Sequence, residues 1–380
     1  MAKKDRFHPY TGRSNRTRNV LIGLLLFALF CAFLTYTYRT DAEFRAAVGS
    51  LTAIFRGESS PRQTDPTTPT GPTGSGGEGL PTEPYEGQPL NTQQAHAAAS
   101  SGNLLYRAPE QLADLASAVE LAAQSGYDGL LVDLKQSGGA VVYRSRLESG
   151  AVQQAMAPGA YDLAALAALC EERGLYLVGR LSTFADHIAP GALPGSGVAV
   201  ASGVVFLDGN YRRNLDPYRE LAMEYLASLA EEAASMGVRE LLLSDVAFPH
   251  YGKISLIVYG GERSKPDQLL HCIDQLRDAA AAHGAIVSVE LPLNVFLDPD
   301  YAQVSGQEFA PRLSCGVVLR SGMTAELVAE PELQLLRDAV ARLPEDLTRS
   351  VLLSSATLEV ALPVFTQSGV ERLFLVEIQP

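Results

Sequence analysis

The sequence predicts an α/β fold, a (β/α)8 barrel of the TIM type, preceded by one transmembrane helix and a disordered linker. Three observations predict the barrel. Five times after residue 100, an apolar helical run ends in a single glycine and a short apolar burst follows. Three further bursts bring the strand-like runs to eight. They alternate with helical stretches more evenly than an open doubly wound sheet does, which favours a closed parallel barrel.

The helix-ending glycines are Gly126, Gly174, Gly237, Gly284 and Gly369, each placed where a chain leaving a helix turns left-handed. In chain order the strand-like runs are Asn103 to Tyr106, Leu130 to Leu134, Leu175 to Leu181, Glu240 to Leu243, Ile286 to Leu291, Cys315 to Leu319, Ser350 to Leu353 and Leu373 to Ile378. The alternating stretch from Gly197 to Phe206 predicts a hairpin in the loop after the third run. It would wall one side of a cleft, with Asn210, Tyr211, Arg212 and Arg213 beyond it as candidate substrate contacts.

Ahead of the barrel the chain divides into three parts. Residues 1–18 form a basic tail containing Lys3, Lys4, Arg6, Arg13, Arg16 and Arg18. Within segment 19–38, Val20 to Thr37 is uncharged and almost wholly apolar, long enough to cross a bilayer core at about 1.5 Å per residue. The positive-inside bias keeps the N-terminus cytoplasmic and sends the rest across, which places the chain in the cell membrane as a single-pass protein. No small-x-small site follows the apolar core, so the segment is expected to stay on as a signal anchor. Residues 39–96 are a juxtamembrane segment and a Pro/Thr/Gly-rich linker too polar to offset the entropy of ordering. Residues 97–380 are the barrel.

Net charge is −13, and residues 1–18 contribute about +5 of opposite sign. A domain this acidic is not built for nucleic acid, so none is expected as a partner. Three of the four cysteines, Cys170, Cys272 and Cys315, fall in helices and a strand start without metal-ligand spacing, and read as small buried hydrophobes. No Cys-x-x-Cys, His-x-x-x-His or phosphate-loop pattern occurs, and neither a metal nor a cofactor is expected.

Reacting groups of such barrels stand at the C-terminal ends of the strands. The polar residues there are Asp133 and Lys135, Arg180, Asp245, Glu290, Arg320, Ser354 and Glu377. Asp245 closes the fourth run and is followed by Phe248, Pro249, His250 and Tyr251; Glu290 closes the fifth and is followed by Pro292 and Asn294. Two carboxylates on neighbouring strands suit glycoside cleavage, one ionised and the other kept protonated by its surroundings. The competing reading is structural, with acids that cap the following helices or pair with a barrel arginine. Arg180 could hold Asp245 ionised or form a rim salt bridge. Asp133 could orient a sugar hydroxyl or join an ion-pair network with Lys135 or Arg180. The chain has no tryptophan, so sugar stacking would fall to Tyr143, Phe184, Tyr211, Phe248, Tyr251 or Phe296.

Four segments fall in one order: Gly129 to Lys135, Leu175 to Arg180, Asn214 to Pro217, and Ser244 to Pro249. In that order they resemble the glycoside hydrolase domain family of bacterial secreted and membrane-anchored proteins, a barrel related to the alpha-amylase-like hydrolases. The similarity covers most of residues 100 to 300. Asp133, Arg180, Asp245 and the Phe248-Pro249 pair are kept. The family's Phe-Asp-Tyr-x-Arg-Phe-Pro segment after the fourth strand is shortened here, with only Val246 and Ala247 between Asp245 and Phe248. Lys135-Gln136-Ser137 stands where the family tends to have Lys-Asp-Asp, and Arg320-Ser321-Gly322-Met323 replaces a Pro-Met-x-Tyr-Pro type segment.

Two functions from different classes follow. In the first, the chain is a membrane-anchored glycoside hydrolase of a cell-envelope or extracellular glycan. Asp245 is then nucleophile and Glu290 general acid/base, with Asp133, Lys135, Arg180, Phe248, His250, Tyr251, Asn294 and Arg320 binding substrate. In the second, the barrel has lost turnover and serves as an anchored glycan-binding or scaffold module. A metal-dependent deacetylase lacks the histidine pattern it would need.

Overall fold

Among the described residues ten strands form one sheet, and eight of them close on themselves. The computed structural model describes Tyr85, Gly87 and residues 102–320, 330–343, 347–353 and 358–376. The apolar run 20–37, most of the linker, Ser354 and Glu377 lie outside the described residues. Among the described residues no helix is long and apolar enough to cross a membrane.

The chain order is β1 (Leu104–Arg107), α1 (Leu115–Gln124), β2 (Gly129–Lys135), β3 (Val141–Tyr143), α2 (Gly150–Ala155), β4 (Met156–Tyr161), α3 (Leu163–Glu172), β5 (Tyr176–Ser182) and α4 (Ala189–Ala192). It continues with α5 (Glu220–Ser235), β6 (Glu240–Ser244), α6 (Lys265–Ala281), β7 (Ile286–Pro292), α7 (Asn294–Leu297), α8 (Pro299–Ser305) and β8 (Gly316–Arg320). It finishes with α9 (Glu330–Val340), β9 (Arg349–Leu353), α10 (Leu358–Thr366) and β10 (Arg372–Val376). The eight predicted runs become β1, β2 and β5 to β10, each within a residue or two at the described ends. Every pairing among them is parallel. Leu104 of β1 lies opposite both Gly129 of β2 and Phe374 of β10, which closes the barrel. At Gly129 a Cβ would collide with the Tyr176 carbonyl, so only glycine lets these strands approach as they do. All five helix-ending glycines adopt positive φ, as predicted.

Residues two apart on a strand share a face, so the interior is built in layers. The middle layer is apolar: Leu104, Leu131, Val178, Leu242, Val318, Leu352 and Phe374. Beneath it, at the strand starts, Arg372 donates two hydrogen bonds to Glu240 at 2.8 and 2.7 Å and a third to Ser350 Oγ at 2.8 Å. Ser288 Oγ donates to the same Glu240 at 2.5 Å. Both members of this ion pair are wholly buried. Above the apolar layer stand Tyr106, Asp133, Arg180 and Glu290, so the interior turns polar again where the strands end. Outside the barrel the strands pack on helices such as α6, whose Leu269, Ile273, Leu276 and Ala280 recur at helical spacing and are buried.

Two excursions shape the mouth. Strands β3 and β4, which the sequence reading did not anticipate, extend the sheet beyond β2, β3 antiparallel to it and β4 parallel to β3. Glu232, buried on α5, fastens this excursion by accepting from the Tyr143 hydroxyl at 2.7 Å, Ser145 Oγ at 2.6 Å and the Arg146 N–H at 2.6 Å. The predicted hairpin after β5 forms, with Val200 N–H bonded to the Val204 carbonyl and Phe206 N–H to that of Val198. On the outer wall, Tyr85 fastens to α6. Its hydroxyl donates to Asp274 at 2.7 Å, its ring meets the His271 ring edge-on at 5.4 Å, and Arg312 donates to its carbonyl.

Candidate functional site

Asp245 is the first residue past β6, and its backbone sits at φ 55°, in the left-handed region that non-glycine residues seldom occupy. Aspartate tolerates this better than most residues, yet the conformation still stores strain of the kind that collects at functional sites. Its side chain is held by Ser182, the last residue of β5, whose Oγ donates to Oδ2 at 2.7 Å. The β5–β6 register pairs Ser182 with Ser244, which brings the hydroxyl beside Asp245.

Glu290 stands on β7, next in the barrel, and is 2 % exposed. Arg180 grips both its oxygens, Nη2 to Oε1 at 2.9 Å and Nε to Oε2 at 2.8 Å. Arg320, from the end of β8, approaches Oε1 at 3.3 Å. Burial pushes the Glu290 carboxyl above its ordinary range, while Arg180 and Arg320 pull the other way and Asp245 adds to the rise. Burial prevails.

Asp133, on β2, accepts from the Tyr106 hydroxyl at 2.9 Å and from Gln136 Nε2 at 3.4 Å, and lies 3.9 Å from Arg180 Nη1. The Tyr161 hydroxyl donates to its backbone carbonyl at 2.8 Å.

These side chains border a cleft at the C-terminal face with two adjoining lobes of about 270 and 320 Å³. Asp245, Ser137, Arg212 and Arg320 border both lobes. Asp133 and Arg180 border one; Glu290, Asn210, Tyr251 and Tyr301 border the other. Two carboxyls in unlike surroundings thus face one cavity, Asp245 partly open and Glu290 buried. Among the described residues no group of three or more His, Cys, Asp or Glu is arranged to hold a metal ion.

Several expected contacts take other roles. Lys135 is wholly buried: its ammonium pairs with Asp186 at 3.0 Å and donates to the carbonyls of Ser182 and Thr183 at 2.8 and 3.4 Å. It borders one lobe of the cleft, but three oxygens already engage its ammonium, so it braces the end of β5. Arg180 holds Glu290 rather than Asp245. Phe248 borders one lobe, but its ring is buried against those of Tyr218 and Tyr259, at 5.6 and 4.9 Å. Asn294 begins α7 and borders neither lobe. His250 and Tyr251 do border the cleft, the His250 ring lying 4.9 Å from that of Tyr301. Of the six aromatic residues considered for stacking, Tyr143, Phe184, Phe248 and Phe296 are buried; Tyr211 and Tyr251 are 79 % and 58 % exposed. Sequence reasoning missed Tyr106, Ser182 and Tyr301. Tyr106 is the last but one residue of β1 and Ser182 the last of β5, and that position was their signal.

Residues 106–310 match a family model described as "putative glycosyl hydrolase domain". Among solved structures, the chain is similar to the glycoside hydrolase domain of PgaB (BpsB) from Bordetella bronchiseptica. Identity is 16 %, coverage 72 % of this chain and 93 % of that one, and the TM-score 0.52. A hypothetical protein from Ruminiclostridium thermocellum is 22 % identical over 49 % of this chain and 96 % of its own, at a TM-score of 0.44. An exo-β-N-acetylglucosaminidase from Vibrio harveyi is 10 % identical over 73 % and 50 %, at 0.46. No curated protein matches. The likeness to PgaB is one of fold.

Proposed function

The chain belongs to the family described as "putative glycosyl hydrolase domain", and from that membership we propose a membrane-anchored glycoside hydrolase whose barrel acts outside the cytoplasm on a cell-envelope or extracellular glycan. The carrying observation is that Asp245, just past β6, and Glu290, on the neighbouring β7, border one lobe of the cleft. Asp245, partly open and oriented by Ser182, attacks as nucleophile. Glu290, its proton affinity raised by burial, gives a proton to the leaving oxygen and later takes one from water. Asp133, with Tyr106 beside it, orients sugar hydroxyls, and Tyr211 and Tyr251 offer faces for stacking. The apolar run 20–37 behind a basic tail supports the anchor and its direction.

One observation favours a second reading. Arg180 and Arg320 together engage a Glu290 that is almost fully buried, which suits a barrel that grips a glycan without cutting it. The test is turnover of envelope glycans by the full-length chain beside Asp245→Asn and Glu290→Gln. Hydrolysis lost in both folded variants supports the enzyme; binding without turnover in the unaltered chain supports the module.

A further inference from the structure

We infer that the glycan of this cleft carries a carboxylate and that Arg212 binds it. The inference rests on the reading of the cleft as a glycan site and names the class of sugar.

The chain is strongly acidic, with net charge −13, yet among the described residues two guanidinium groups at the cleft, those of Arg212 and Arg213, have no acid at ion-pair distance; that of Arg213 donates to the His187 carbonyl at 3.3 Å, which leaves Arg212. Inside the cleft each carboxylate is already answered: Glu290 by Arg180, Asp133 by Tyr106, Asp245 by Ser182. Asp208, close to Arg212 in sequence, is taken up within its own turn, where Oδ1 accepts the N–H groups of Asn210 and Arg212 at 2.8 and 2.9 Å. Among the described residues the Arg212 guanidinium has no carboxylate at ion-pair distance.

The turn that presents Arg212 is built rather than loose. Tyr211 is held at φ 59°, the only described non-glycine residue besides Asp245 with positive φ. Asp208 N–H bonds the Arg212 carbonyl at 2.9 Å, and Gly209 N–H bonds that of Tyr251 at 3.3 Å. A Cβ at Gly209 would collide with the Tyr251 ring. The backbone beneath Arg212 is therefore fixed while its side chain is exposed, bordering both lobes together with Asp245 and Arg320, with two exposed tyrosines on the same pair of loops. A guanidinium meets a carboxylate with two parallel N–H bonds, a match no sugar hydroxyl offers. The carboxylate could belong to a uronic acid ring or to a lactyl ether on an amino sugar; the chemistry is shared.

The experiment titrates the full-length chain, solubilised in detergent, with oligogalacturonate, with muramic-acid-containing glycan strands and with carboxyl-reduced counterparts of each. At least one acidic glycan should bind about tenfold or more tightly than its reduced counterpart. That preference should shrink in Arg212→Gln, survive in part in Arg212→Lys and weaken with added salt. The acid preferred identifies the source. Equal binding of acidic and reduced forms, binding of neither, or an unchanged preference in Arg212→Gln overturns the inference. Acid-selective binding without turnover of any glycan sinks the hydrolase reading and leaves this one standing. Turnover without acid preference does the reverse.

Discussion

Arg180 and Glu290 are joined at two points, a hydrogen bond from Nη2 to Oε1 at 2.9 Å and a charge contact between Nε and Oε2 at 2.8 Å. The pair spans two strands, because β6 lies between β5 and β7 in the sheet. It ties the rim across β6, the strand that leads into Asp245. Removing the cation leaves a buried charge with Arg320 as its remaining partner. Arg180→Ala should cost about 3 kcal/mol in urea unfolding at neutral pH, and Arg180→Ala with Glu290→Gln should cost less than the single change. A double variant as unstable as the single one would show that the charge is not what matters.

The proton affinity of Glu290 gives a signed pH dependence. Its carboxyl is raised in the fold, chiefly by burial. A group with a raised folded pKa contributes stability that is fully present below its unfolded value, 4.5, and is lost as pH climbs through the folded one. The stability of the unaltered chain relative to Glu290→Gln should therefore decline as pH rises from about 4.5. Thermal unfolding of both chains across that window checks it. A difference that grows with pH would mean the two arginines outweigh burial.

Strain at Asp245 can be weighed separately from its chemistry. Asp245→Gly and Asp245→Ala both lose the bond from Ser182, but only alanine keeps a Cβ in the left-handed region. The glycine variant should be the more stable by about 1 kcal/mol, and neither should cleave a glycan. Equal melting temperatures would remove the argument from strain.

Lys135 separates bracing from binding. With Lys135→Met the Asp186 carboxylate keeps its two backbone N–H partners but loses its counter-charge. The expected loss is about 3–5 kcal/mol, with glycan affinity of the folded fraction unaltered. A variant that folds normally and binds poorly would return Lys135 to the substrate.

The barrel was legible because its signals are periodic and local: a helix-ending glycine, then an apolar run, repeated. Strands β3 and β4 were not. Val141 to Tyr143 is too short to stand out, and Met156 to Tyr161 contains Pro158 and Gly159, which read as a turn. At the site, the position of Asp245 and Glu290 followed from strand ends alone. Partner choice did not. That Arg180 reaches Glu290 past β6, that Lys135 turns to Asp186, and that Phe248 packs inward depend on the barrel's stagger and on loop packing, which spacing does not encode.

Tyr85 changes how far the barrel can travel. Because its ring, hydroxyl and carbonyl are all held on the outer wall beside α6, the leash from the proposed membrane span is measured to residue 85 and not to β1. A fully stretched chain between residues 38 and 85 reaches on the order of 160 Å at about 3.3–3.6 Å per residue, and the residues from 86 to 103 add nothing to that radius. The point of attachment also lies on the side of the barrel, not at its mouth. Under the proposed anchoring, Tyr85→Ala would lengthen that radius by releasing the chain as far as β1.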